Sequence, residues 1–147
     1  MKNTDFGKWI PHFGRHSVKS LGISDINSSY GILIDAETGK VLGEKGSDTI
    51  AFPASLTKIM TTVVAIEELS DLQHEITLTY EMLDDLYKQD ATRAGFEPEE
   101  SVRAIDLLYG VMLPSGADCC RALCSDIAGS EAAFAAALAS SYAGLEY

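Results

Sequence analysis

The feature that most constrains the fold of this 147-residue sequence is an apolar segment that follows Phe52-Pro53. Apolar residues recur at spacings of three and four from Leu56 to Leu69, which is the periodicity of an α-helix. Over the first half of the segment they occupy most of the helix circumference, and such a helix is typically buried. The pattern therefore predicts a buried helix that begins at Ser55.

The remaining elements are predicted from shorter patterns. Strand-like runs over residues 30–34 and 40–44 flank turn residues at 35–39, which predicts a β-hairpin. Residues 75–79 are predicted to be extended. Further helices are predicted over residues 80–88, 102–113, 118–127 and 130–140. The chain is thus expected to be an α+β protein with a hairpin first and helices after it. A lone hairpin is only marginally stable in water, so we expect additional strands to pair beside it.

Charge and length exclude several classes of function. The net charge is −11, which argues against a nucleic-acid partner because phosphate binding requires clustered Lys and Arg. No apolar run approaches the roughly 20 residues of a membrane-spanning helix. No secretory signal is visible at the N-terminus.

We expect a loosely ordered arm over residues 1–27 and one domain over residues 28–147.

Cysteine and histidine do not predict a metal site. Cys119, Cys120 and Cys124 are crowded within six positions, which favours buried small side chains over a disulfide framework, with metal binding a weaker alternative. His12 and His16 have a spacing that suits zinc, but a neighbouring proline and a glycine break the helix that would align them. We therefore expect neither a metal nor a cofactor.

Ser55 and Lys58 lie three positions apart at the start of the apolar helix. One interpretation is a serine N-cap followed by a solvated lysine. However, lysine is unfavourable in a first helical turn, and this helix has almost no polar face to solvate it. Desolvation and the helix dipole both favour the neutral amine, which can remove a proton from a hydroxyl one turn away. The pair therefore also fits a nucleophile with its base.

Two longer stretches carry a resemblance to a known family. ILIDAETGKVLGEKGSDTIAFPASLTKIMT and LLYGVMLPSGADCCRALCSDIAGSEAAF closely resemble the D-alanyl-D-alanine carboxypeptidases, the low-molecular-mass penicillin-binding proteins of the serine peptidase type. The resemblance implies that Ser55 is the acylated nucleophile and Lys58 its general base. It implies that Ser115 relays protons to the leaving amine, and that Gly116 and Ala117 lie at the substrate. Without it, Ser115 would be interpreted as a loop residue or helix cap.

The resemblance also implies a fold, partners and a location. The fold would be β-lactamase/transpeptidase-like, with the hairpin in an antiparallel sheet that later strands complete. The partners would be peptidoglycan stem peptides ending in D-Ala-D-Ala, and β-lactams as inhibitors. Because peptidoglycan lies outside the cytoplasmic membrane, an extracytoplasmic location is expected.

The sequence departs from the family pattern at two places. Ala117 stands where the family has asparagine, and a methyl group cannot replace the amide's hydrogen bonds. The third family motif, Lys-Thr-Gly, is absent, since the last lysine is Lys88. The chain is therefore expected to represent the N-terminal part of such a domain, without the C-terminal sheet strands.

Three functions remain open on this basis. The first is an active carboxypeptidase. The second is a catalytically incompetent homologue that acts as a binding or interaction module, through self-association or complementation by a C-terminal segment. The third is an unrelated helical binding protein in which Ser55 is only a helix cap.

Overall fold

The computed structural model of the protein describes residues 22–142. Most of the arm expected over residues 1–27 lies outside this range, as do His12 and His16. The chain divides into two compact units, Met1–Phe52 and Pro53–Tyr147, which are described separately.

In the described part of the first unit, a short 3₁₀ helix, Ile23–Asp25, precedes a β-hairpin. Strand β1 (Gly31–Ile34) pairs antiparallel with β2 (Val41–Lys45). The pairing register shifts between Leu33 and Ile34, where the ladder is irregular. The Asp35 carboxylate closes the turn, because it accepts hydrogen bonds from the Thr38 hydroxyl and from two backbone N–H groups. The hairpin prediction is confirmed.

The second unit holds the helices and a second sheet. A 3₁₀ helix, Ala54–Leu56, leads into α1; the elements that follow are α1 (Thr57–Glu68), β3 (Glu75–Thr77), α2 (Tyr80–Lys88), β4 (Ser101–Arg103), α3 (Ala104–Met112), α4 (Ala117–Ala128) and α5 (Glu131–Tyr142). The α+β class is confirmed.

Within residues 22–142 no single helix has the length and apolar composition to cross a membrane. Helices α4 and α5 (through Ser140) meet these two criteria only when they are taken together, and the pair is bent by 71°.

The second sheet corrects the sequence prediction of a helix over residues 102–113. Strands β3 and β4 pair antiparallel, and Ile76 faces Val102 in the register. Both of these side chains are buried, whereas their neighbours along each strand are exposed. Three residues are too few to establish a strand period, so burial in the tertiary structure decides the conformation. The extended segment predicted over residues 75–79 is confirmed as β3, whereas the expectation that only helices follow the hairpin is wrong.

The core of the second unit forms where α3 and α4 pack against α1, α2 and β3. Complete burial of a leucine contributes roughly 1.5–3 kcal/mol relative to exposure. The largest fully buried side chains are Leu78, Leu83, Leu107, Val111, Asp118, Cys119 and Leu123. Cys124 is also buried and Cys120 is partly buried, which confirms the cysteines as small core residues.

Helix α1 is less buried than its sequence predicts. Its buried residues are Thr61, Val64 and Ala65, on the side that faces α3 and α4. The other side carries four exposed apolar residues, the α1 apolar face: Leu56, Ile59, Val63 and Ile66. Ile66 retains 52% of its surface and Ile59 retains 46%. The prediction of a buried helix is wrong for this face, because the described neighbours cover α1 from one side.

Candidate active site

Ser55 lies in the 3₁₀ helix directly before α1 and is exposed. The preceding residue, Ala54, has a φ of +49°, a left-handed conformation that costs energy for any residue with a Cβ. The N-cap of α1 is Leu56, and no side chain caps that helix. Ser55 therefore does not serve as the helix cap that the simplest interpretation of the sequence suggested.

The Ser115 hydroxyl donates a hydrogen bond to Ser55 Oγ at 3.1 Å, across 60 positions of sequence. Ser115 lies between α3 and α4 with a φ of +63°, so its backbone is also left-handed. The N-cap of α4 is Gly116, and no side chain caps that helix either. The second capping interpretation thus fails, and the hydroxyl is directed at Ser55 instead. Ser115 and Ala54, the residue before Ser55, thus both have left-handed backbones, and strain of this kind often occurs at functional sites.

Lys58 lines the same cleft as the two serines. The cleft is open, has a volume of about 360 Å³, and is completed by Pro53, Leu56, Ile59, Val111 and Met112. Lys58 is half-buried in the first turn of α1. Within residues 22–142 its amine makes no hydrogen bond or ion pair. The structure therefore places the three residues expected to be catalytic in one cleft.

Cys120 of α4 lies near the Lys58 amine. Burial raises the pKa of the Cys120 thiol to about 11, and the nearby Lys58 charge opposes this increase. Burial also raises the pKa of Cys124, to about 12. The thiols are therefore protonated near neutral pH. Within the described part of the chain, no three His, Cys, Asp or Glu side chains group closely enough to hold a metal ion.

Gly116 and Ala117, the residues expected at the substrate, form the start of α4 and do not line the cleft. The Gly116 N–H donates to the Gly110 carbonyl at 2.9 Å, and the Ala117 N–H donates to the Thr92 carbonyl at 2.8 Å. Both residues thus anchor the backbone that follows Ser115. Their contact with substrate stays a prediction.

Asp118 is a residue of this region that the sequence analysis did not identify. It lies in the first turn of α4, is completely buried, and accepts three backbone hydrogen bonds. The available signal was an acidic residue in the first turn of a predicted helix, where the helix dipole favours it. Its partners are backbone N–H groups of a distant loop, which no sequence pattern specifies.

Comparison with known proteins gives the family. A family model described as D-alanyl-D-alanine carboxypeptidase matches residues 16–145. The chain belongs to the D-alanyl-D-alanine carboxypeptidase family. Among relatives, D-alanyl-D-alanine carboxypeptidase DacC of Escherichia coli is 37% identical over 109 residues, which are 70% of this chain and 27% of that protein. D-alanyl-D-alanine carboxypeptidase DacF of Bacillus subtilis is 32% identical over 103 residues, 70% of this chain and 26% of that protein.

Solved structures of DD-peptidases share the fold. A mutant of a Streptomyces DD-transpeptidase superposes with a TM-score of 0.76 at 28% identity and covers 82% of this chain, which corresponds to 49% of that one. Penicillin-binding protein 5 of Haemophilus influenzae gives a TM-score of 0.72 at 26% identity, over 82% of this chain and 37% of that one. This chain therefore spans about a quarter of the length of these curated relatives and half or less of these structures. The predicted family is confirmed.

Proposed function

We propose that this chain carries the acylating residues of a serine-type D-Ala-D-Ala carboxypeptidase that acts on peptidoglycan stem peptides. The observation that supports this most directly is the 3.1 Å hydrogen bond from the Ser115 hydroxyl to Ser55 Oγ, in a cleft that Lys58 also lines. Ser115 thus contacts the exposed Ser55 oxygen directly, and Lys58 supplies a third group able to move a proton in the same cleft.

In the proposed reaction, the neutral Lys58 amine takes the proton of the Ser55 hydroxyl. Ser55 Oγ attacks the carbonyl carbon of the D-Ala-D-Ala peptide bond and forms a tetrahedral intermediate. The C–N bond then breaks, and the leaving amine receives a proton through the Ser115 hydroxyl, so that D-alanine departs. Water hydrolyses the remaining ester and regenerates Ser55. Attack on a β-lactam carbonyl would form an analogous acyl-enzyme.

The position of Ser55 before α1 supports this chemistry. The N-terminus of a helix carries partial positive charge, which stabilises the oxyanion that forms as Ser55 Oγ attacks. Lys58 follows in the first turn of α1 and lines the same cleft, which is where a base for Ser55 would have to lie. The proposed substrate implies an extracytoplasmic location.

A fluorescent penicillin tests the proposal. We expect stoichiometric covalent labelling of the protein, and loss of labelling in Ser55→Ala. Ser70→Ala is a matched control, because Ser70 is also exposed but lies beyond the far end of α1. Labelling that persists in Ser55→Ala would exclude Ser55 as the nucleophile.

A second candidate function is a binding module without activity of its own. Two observations favour it: the methyl group of Ala117 in place of an amide, and the exposed α1 apolar face (Leu56, Ile59, Val63 and Ile66). On this alternative the chain alone is not labelled. Labelling would appear after addition of a polypeptide that carries a Lys-Thr-Gly strand and covers this face.

A further inference from the structure

The left-handed backbone at Ser115 needs support from its surroundings. A residue with a Cβ adopts this conformation only where neighbouring contacts impose it. Two backbone hydrogen bonds follow directly after it: Gly116 N–H to the Gly110 carbonyl, and Ala117 N–H to the Thr92 carbonyl. The first partner belongs to the rigid helix α3. The second belongs to the connection between α2 and β4, which has no regular secondary structure.

The buried Asp118 carboxylate fixes this second partner. Its Oδ1 accepts from the Ala94 N–H at 2.9 Å and its Oδ2 accepts from the Gly95 N–H at 3.0 Å. Oδ1 also accepts from the Cys119 N–H at 3.0 Å. A carboxylate without solvent exposure is tolerated only when its lone pairs are satisfied, and here backbone N–H groups satisfy them. Asp118 therefore clamps residues 92–95, the clamped loop, onto the start of α4.

The packing around Gly116 transmits this clamp to Ser115. A Cβ at position 116 would lie 2.6 Å from Asp118 Oδ1 and 2.9 Å from the Ala94 nitrogen. It would also lie 2.8 Å from the Gly110 carbonyl oxygen. The carboxylate, the clamped loop and α3 thus enclose the residue directly after Ser115 without free space. Because the Ala117 N–H also bonds to the Thr92 carbonyl, a displacement of the clamped loop would be transmitted to the backbone that follows Ser115.

We propose that Asp118 is a positioning residue, which holds the Ser115 hydroxyl against Ser55 Oγ by clamping residues 92–95. The consequence for acylation rests on the proposed function, whereas the positioning itself rests on the fold. Asp118→Asn is the informative variant, because it keeps the shape but replaces one acceptor oxygen with an N–H donor that faces a backbone N–H.

The first experiment measures acylation of Ser55 by fluorescent penicillin. We expect Asp118→Asn to lower the acylation rate about tenfold, as the loss of one buried hydrogen bond suggests. In a Ser115→Ala background the same change should alter the rate less than about twofold, because residues that act through one group are not additive. Additive losses would overturn the proposal.

Two controls separate positioning from stability. Asp126→Asn changes another carboxylate of α4, which pairs with the exposed His74, and it should leave the rate unchanged. Leu123→Ala removes a fully buried side chain of α4 and should lower the melting temperature without changing the rate measured well below that temperature. Equal rate losses in Leu123→Ala and Asp118→Asn would contradict a positioning role.

The second experiment does not depend on acylation. We expect Asp118→Asn to accelerate amide hydrogen exchange of Ala94 and Ala117 at least tenfold, while exchange within α3 stays unchanged. If Asp118→Asn does not fold, Thr92→Gly loosens the clamped loop at an exposed position and should accelerate exchange at Ala117 to a smaller extent. Unchanged exchange at Ala117 would overturn the proposal. If the unmodified chain is not acylated, the proposed function fails but this measurement still decides the positioning.

Discussion

At Ser115 the backbone and the side chain can be tested separately. Ser115→Ala removes the donor to Ser55 Oγ, and we expect about a tenfold fall in the acylation rate, the effect of losing a hydrogen bond worth roughly 1–1.5 kcal/mol. Ser115→Gly removes the same hydroxyl but relieves the left-handed strain. Stopped-flow measurement with a fluorescent penicillin should show similar losses in both variants. A rate near that of the unmodified protein in Ser115→Gly would contradict the role of the hydroxyl.

Ala117 offers a test by gain of function. The family pattern places an asparagine at this position, and its amide can hydrogen-bond a substrate or a lysine amine. We expect Ala117→Asn to raise the acylation rate by about fivefold or more, corresponding to roughly 1 kcal/mol or more of added stabilisation. Ala117→Leu has a similar volume without the amide and should give no increase. An equal increase in both variants would attribute the effect to packing.

The buried thiols predict a pH dependence. Because burial raises the pKa of Cys120 to about 11, its alkylation in the folded protein should require a higher pH than in the unfolded chain, where the midpoint is near ~8.5. The folded state therefore retains this proton while the unfolded state loses it, so the contribution to stability declines as pH rises between these two values. Alkylation followed by mass spectrometry over pH 7–11 checks this. A midpoint near 8.5 in the folded protein would contradict it.

The sequence predicted the residues of this site better than their contacts. Ser55 and Lys58 are three positions apart, so one helical turn is enough to bring them near each other. The contact of Ser115 with Ser55 spans 60 positions, and the resemblance to a family made it expected. Asp118 was missed because its partners are the N–H groups of Ala94 and Gly95, which every residue except proline carries.

At the scale of elements, the hairpin, the extended segment at β3 and most of the helices were predicted well, whereas strand β4 was not. The helices over residues 80–88 and 118–127 match α2 and α4 within about one residue at each end. Strand β4 was missed because its pairing with β3 and the burial of Val102 in the core depend on residues distant in sequence. The same limit explains α1, where the sequence shows the apolar character of each residue but not which neighbours are present to cover it.

The crossing of α3 and α4 depends on a glycine. A Cβ at Gly110 would collide with Cys119 Sγ, which is buried at this crossing. We expect Gly110→Ala to destabilise the protein by about 1–3 kcal/mol, the typical cost of overpacking, despite the better helix propensity of alanine. Thermal or denaturant unfolding measures the loss. Cys119→Ala in the same chain removes the sulfur and should restore part of it, and the absence of any rescue would contradict this packing argument.

At the scale of the whole molecule, exposed apolar surface competes with a strong negative charge. The α1 apolar face is uncovered within the described residues, whereas the net charge of −11 opposes association of identical chains. Ile66→Lys, at the C-terminal end of this face, should reduce binding of a dye that fluoresces on apolar patches and should change stability little, because Ile66 is half-exposed. Glu68→Gln is a control with the same +1 change of charge at an exposed position outside this face. Equal reductions in both variants would attribute the effect to charge.

The hydrogen bond between the two serine hydroxyls would make Ser55, the proposed nucleophile, a reporter of completed folding. Its donor and acceptor belong to segments that meet only after α1 and α4 have docked. A nascent or partly unfolded chain would therefore present Ser55 without its neighbour and should react slowly with an acylating antibiotic. Time-resolved labelling during refolding would then report when α1 and α4 dock, without an engineered probe.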